Sequence, residues 1–178
     1  MNVLLFGVTC VGKTTVGRII AGKLDWDFYD LDEEVSRTQG MSAAEFSQKG
    51  TIEQRDRIRG RLIGGLLEKP ENKVIAVSPL SYRPAFEKYL RRRDVTAIVL
   101  IDTPEHIYKR IEFVDSHDTV YMDAAYKKSH KKEYMFRLTS DITHYGRIYS
   151  VIPHRIDVRQ DKADVVANRI INIYDLKR

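Results

Sequence analysis

A single cysteine, Cys10, stands among 178 residues, so no internal disulfide can form and a reducing compartment is expected. No apolar run approaches the roughly 20 residues of a bilayer-spanning helix, and no membrane partner is expected. No secretory leader is expected either. Val3–Phe6 passes straight into a glycine, so the expected location is the cytoplasm. Repeats, low-complexity tracts and interdomain linkers are absent, which predicts one domain over 1–178. Neither sign of charge dominates, since 30 Lys and Arg are set against 25 Asp and Glu, a net charge of +5. The basic residues are dispersed and accompany no RNA- or DNA-binding motif. Nucleic acid is therefore not the expected partner, and the positive potential suits nucleotides and small anionic substrates. Hydrophobic residues make up 43% and mean hydropathy is -0.39, values of a soluble globular chain, expected as a monomer or weak dimer.

What the sequence does contain is concentrated at its start. GVTCVGKT, from Gly7 to Thr14, has the glycine, four residues, glycine, lysine, threonine spacing of a phosphate-binding loop. Gly7 and Gly12 can take positive φ, so the amides of Val8, Thr9, Cys10, Val11 and Gly12 can turn towards phosphate oxygens. A helix beginning near Lys13, with Thr14 and Thr15 in its first turn, adds a partial positive charge. Lys13 can reach the β- and γ-phosphates of ATP, and the Thr14 hydroxyl can ligate Mg²⁺. Cys10 is expected to be a small loop-filling side chain.

Further along, short apolar runs alternate with amphipathic ones, the pattern of an α/β protein. Strands are predicted at Val3–Phe6, Phe28–Asp30, Val74–Val77, Thr96–Ile101 and Arg155–Val158. Helices are predicted at Thr14–Leu24, Asp32–Gln39, Ser42–Gln48, Ile52–Leu67, Pro84–Leu90, Pro104–Ile111, Tyr134–Tyr145 and Ala163–Leu176. Residues 112 to about 131 lack a period and end in a basic stretch, suggesting a lid. The expected architecture is a three-layer α/β/α phosphate-loop fold, a five-stranded parallel sheet covered on both faces. No guanine-reading NKxD sequence appears, against a switch GTPase. The strand ending in Ser78–Pro79 lacks the acid of a motor ATPase.

On these residues the chain resembles a shikimate kinase, within the nucleoside-monophosphate-kinase-like group of phosphate-loop kinases. The likeness is carried by GVTCVGKTT, FYDLDEEV, SAAEFSQKGTIEQRDRI, VIAVSPL, VLIDTPEHIYKRI and RIDV, in that order. It implies transfer of the γ-phosphate of Mg-ATP to a hydroxyl of a small carboxylate-bearing acceptor, shikimate first among the candidates. It also implies that Asp30 lies near Mg²⁺ and that Asp32 orients or deprotonates the acceptor hydroxyl. Arg55 falls where the family arginine pairs with the acceptor carboxylate, for which a guanidinium fork is suited. Arg59, four residues on, is expected at the surface. Arg110 matches an arginine packing on the adenine, and Arg159 lies in the adenine-lining region.

Three departures fall mostly on the acceptor side. The family's glycine run after the third strand is here Ser78, Pro79 and Leu80, so donors and space should both be reduced, with Ser78 a candidate replacement contact. No arginine lies between Arg110 and Arg137, leaving Lys127, Lys128, Lys131 or Lys132 to serve the γ-phosphate. The later arginine of the carboxylate clamp is best matched by Arg147. Two alternatives therefore stay open: a nucleoside or nucleotide kinase of related fold, and an ATP-binding regulatory module that has lost its acceptor.

Overall fold

Alternation along β1 (Asn2–Phe6) explains the layering of the protein. Val3 and Leu5 face one side of the sheet and join an apolar cluster with Val16, Ile20, Val166 and Ile170. Leu4 and Phe6 face the other side and join Leu31, Ile63, Leu66 and Phe86. These four side chains of β1 are fully buried, as required of a central strand covered on both faces. The computed structural model describes residues 1–111, 113, 114, 120, 121 and 123–177.

After β1 come α1 (Lys13–Leu24), β2 (Asp27–Asp30), α2 (Leu31–Gln39), α3 (Ala43–Ser47), α4 (Ile52–Leu67) and β3 (Lys73–Ala76). They are followed by β4 (Val95–Ile101), α5 (Pro104–Arg110), β5 (Phe113–Val114), β6 (Val120–Tyr121), α6 (Ala124–Ser129), α7 (Lys131–Ile148), β7 (His154–Asp157) and α8 (Ala163–Ile173). The main sheet has the order β2-β3-β1-β4-β7 and every pairing in it is parallel. All five strands therefore end at one edge. The order reverses at β1, so a crevice opens beyond its carboxyl end, the usual binding place in such sheets.

The α4 helix starts on a capping box between Thr51 and Gln54, the reciprocal pairing that fixes a helix start. Its buried face runs through Asp56, Gly60, Ile63 and Leu67. A carboxylate and a glycine thus occupy positions where periodicity alone asks for apolar side chains. Gly60 is there because a Cβ would lie 2.4 Å from the Ala85 carbonyl oxygen.

One expected element is corrected. Pro84–Leu90 is not an α-helix but two 3-10 turns, Arg83–Ala85 and Glu87–Arg91, separated at Phe86 with φ −124°. The expected lid at 112–131 holds the antiparallel pair β5–β6 and, from Ala124, α6. Residues 112, 115–119 and 122 of that stretch lie outside the described residues.

Candidate active site

The phosphate loop follows β1 into the crevice. Gly7 has φ +141° and approaches β4 so closely that a Cβ would stand 2.6 Å from the Leu100 carbonyl oxygen. Gly12, at φ +108°, caps α1 without a side-chain hydrogen bond. The first-turn amides of α1 thus keep no side-chain cap and can meet an anion. Val8 and Val11 turn their side chains into the core and offer only backbone, whereas Thr9 and Thr15 are exposed. Cys10 sits half-buried at the turn with φ +61°.

Lys13 folds back over this loop, its Nζ donating to the carbonyls of Gly7 at 3.0 Å and Val8 at 2.8 Å. Burial pulls its pKa down to about 8, although Asp32, Asp30 and Cys10 act to raise it. The Thr14 hydroxyl donates to Asp30 Oδ2 at 2.6 Å. The other Asp30 oxygen accepts from the Asp32 amide at 3.0 Å and caps α2. Asp30 therefore ties the start of α1 to the start of α2. Hard oxygen donors from Thr14 and Asp30, side by side at the loop, fit the chemistry of Mg²⁺.

Asp32, in the first turn of α2, accepts from the Ser78 hydroxyl at 2.6 Å and lies 3.6 Å from Arg59 Nη2. It stands in a cleft of about 380 Å³ lined also by Thr9, Arg55, Arg59, Ser78 and Tyr145. Arg55 and Arg59 reach the cleft from α4. One Arg55 nitrogen is committed to the Lys49 and Gly50 carbonyls, both at 2.9 Å. Arg59 is not at the surface as expected: its side chain is 15% exposed. It lies over the Phe46 ring, 5.1 Å from the centroid.

Asp56, 1% exposed, lies between α4 and the loop after β3. One oxygen accepts from the amides of Ser81 and Tyr82, each at 2.8 Å, and the other meets Arg59 at 3.3 Å. Leu80 departs from expectation as well. Its side chain is fully buried in the core below the sheet face and does not line the cleft. Its amide donates to the Tyr149 hydroxyl at 2.9 Å. Losing the glycine run therefore removes donors but adds no leucine to the cleft.

On the opposite side of the loop, Arg110 is held by Asp102, just past β4, whose side chain is fully buried. It also approaches the carbonyls of Cys10 and Arg159, both at 3.4 Å. Arg159 is in the left-handed region, φ +54°, with its side chain 70% exposed. His106 Nδ1 lies 2.7 Å from the same Asp102 carboxylate, and its Nε2 lies 2.9 Å from the Gln160 amide. Asp102 so joins α5 to the turn after β7.

The sequence-selected residues Lys13, Thr14, Asp30, Asp32, Arg55 and Ser78 come together at the crevice, and Arg110 and Arg159 meet beside the loop. Arg147 does not join them; it is exposed on α7, and Tyr145, two residues earlier, lines the cleft in its place. Nor is Lys127 an uncommitted lid cation, because its Nζ donates to the carbonyls of Lys109 and Ile111. Asp56, Arg59 and Asp102 were missed as site residues. The i, i+3 pairing of Asp56 with Arg59 was the available signal for two of them.

The family model described as shikimate kinase matches residues 9–174. The chain belongs to the shikimate kinase family. Over 82 residues it is 39% identical to the shikimate kinase of Geobacillus thermodenitrificans (strain NG80-2), covering 46% of this chain and 43% of that relative. The match therefore spans less than half of that relative's length. With the shikimate kinase of Bacillus pumilus (strain SAFR-032) identity is 25% over 176 residues, 98% of this chain and 90% of the relative. Among solved structures, the shikimate kinase from Acinetobacter baumannii in complex with shikimate superposes with a TM-score of 0.66 at 19% identity. That superposition covers 97% of this chain and 92% of the other. The family fold thus runs through nearly the whole chain.

Proposed function

We propose that this protein transfers the γ-phosphate of ATP to a hydroxyl of shikimate. The observation that carries the reading is the position of Asp32. Its carboxylate lies in the cleft that opens beside Thr9 of the phosphate loop, facing Ser78 and Arg59. An acceptor hydroxyl held there attacks the γ-phosphorus in line. The new O–P bond forms as the bond to the β–γ bridging oxygen breaks, and the hydroxyl proton passes to Asp32. The loop amides and the start of α1 hold the phosphates. Lys13, released from the Gly7 and Val8 carbonyls, follows charge onto the leaving ADP. Thr14 and Asp30 would hold Mg²⁺, which supplies charge neutralisation across the β- and γ-phosphates when bound. Arg110 and Arg159 flank the purine, and the 1–178 chain works as one catalytic domain with its lid over the nucleotide.

The acceptor is read from the family and from the shikimate-bound relative of the same fold. The test is release of ADP from Mg-ATP with a panel of shikimate, gluconate, nucleosides and nucleoside monophosphates. Shikimate-dependent ADP with stoichiometric phosphorylated product is expected. ADP that appears only with a nucleoside or nucleotide reassigns the acceptor, and none with any compound overturns the kinase reading.

A further inference from the structure

We infer that Arg59, held by Asp56, is the anchor for the acceptor's carboxylate, in place of Arg55; this rests on the kinase reading above. Beyond Ser78, the loop after β3 offers no spare amide for the anchor. Pro79 has no amide hydrogen, the Leu80 amide serves Tyr149, and those of Ser81 and Tyr82 serve Asp56. Recognition of an anion then falls chiefly to side chains.

Of the two cleft arginines, Arg55 is engaged as a clasp on the turn before α4, with one nitrogen bonded to two carbonyls. Arg59 is differently prepared. Asp56 holds Nη1, and Phe46 covers one face of the guanidinium. The Nε and Nη2 hydrogens point along the remaining edge of the planar group, the edge that binds a carboxylate through two parallel hydrogen bonds. On that edge Nε is buried without a partner, and Nη2 lies 3.6 Å from Asp32, beyond hydrogen-bond distance. A buried donor with no acceptor is uncommon in a folded protein. An acceptor carboxylate seated there satisfies it and lies beside Asp32, which faces the hydroxyl end. Asp56 is a positioning residue: it fixes both the Arg59 edge and the loop carrying Ser78.

The test compares the intact wild-type chain with Arg59→Lys and Arg55→Lys by calorimetric titration with shikimate and with its uncharged methyl ester, Mg²⁺ and ADP present. Lysine keeps a positive charge opposite Asp56 while removing the fork, and thermal unfolding confirms that each variant folds. Wild type is expected to bind the acid about tenfold tighter than the ester, a preference lost in Arg59→Lys and kept in Arg55→Lys. The inference is overturned if Arg59→Lys keeps the preference, if Arg55→Lys loses it, or if wild type shows none. Should wild type bind with this preference yet release no ADP from Mg-ATP, the kinase reading fails and the anchor stands.

Discussion

The two sides of the crevice are built by different means. On the nucleotide side the chemistry is backbone: Gly7 and Gly12 at positive φ, an uncapped helix start, and one lysine resting on the loop carbonyls. On the acceptor side it is side chains drawn from three segments, Asp32 on α2, Arg55, Asp56 and Arg59 on α4, and Ser78 after β3. A backbone site tolerates few changes and gives one specificity. A side-chain site can be rebuilt while the first is left alone, as Ser78–Leu80 illustrates.

The largest effect expected from this contrast is at Lys13. Lys13→Ala should lower kcat/KM by roughly 10³-fold with every acceptor tried, because it removes charge stabilisation common to all transfers. Steady-state ADP release checks this, and a loss seen with one acceptor only would break the division between the two sides. Next comes Asp32→Asn. Removing a positioned base should lower kcat by about 10²–10³-fold, while the ATP Kd stays within about threefold, since the amide still faces Ser78. A Kd for ATP that rises with the fall in kcat would place Asp32 on the nucleotide side.

The same contrast explains what could be foreseen. The loop was legible because its glycine spacing is local and its requirements are backbone ones. Likewise α4, expected at Ile52–Leu67, is found there because a capping box and an apolar run bound it. Arg59 was misjudged because its neighbour Asp56 breaks the apolar stripe yet is buried. The amides of Ser81 and Tyr82, 25 and 26 residues later, complete the partners that allow that burial. Leu80 was misjudged for a related reason: a three-letter substitution does not say which way the side chain turns, and the Tyr149 hydroxyl settles it. Arg147 failed through register, since on α7 a shift of two residues carries a side chain about half-way round the helix.

Stability links the two sides through α4. Gly60→Ala puts a methyl against the Ala85 carbonyl at 2.4 Å, a backbone atom that cannot swing aside. The cost of that overpacking is about 1–3 kcal/mol, measurable by denaturant unfolding. Because Gly60 lies one turn beyond Asp56 and directly follows Arg59, acceptor KM should rise and ATP Kd should not. A variant as stable as wild type would show that α4 and the 3-10 turn at Arg83–Ala85 are less tightly docked than they stand here.

The smallest effect concerns pH on the nucleotide side. Free Lys13 has its pKa lowered to about 8, chiefly by burial, so the group loses its proton as pH rises through that value. Bound phosphates favour the protonated form, so ATP binding takes up a proton above pH 8. From pH 7 to pH 9 the Kd for ATP should therefore rise about tenfold, the ratio of protonated fractions at the two ends. Below pH 7 it should level off with respect to this group. Shikimate affinity without nucleotide should show no such dependence in this window, because the acceptor side does not draw on Lys13. Calorimetry of ATP and of shikimate in parallel, across buffers of different ionisation enthalpy, reads the proton uptake directly. A level Kd for ATP between pH 7 and pH 9 would mean that Lys13 is solvated in the free protein and has no lowered pKa, and an equal slope for both ligands would remove the distinction between the sides.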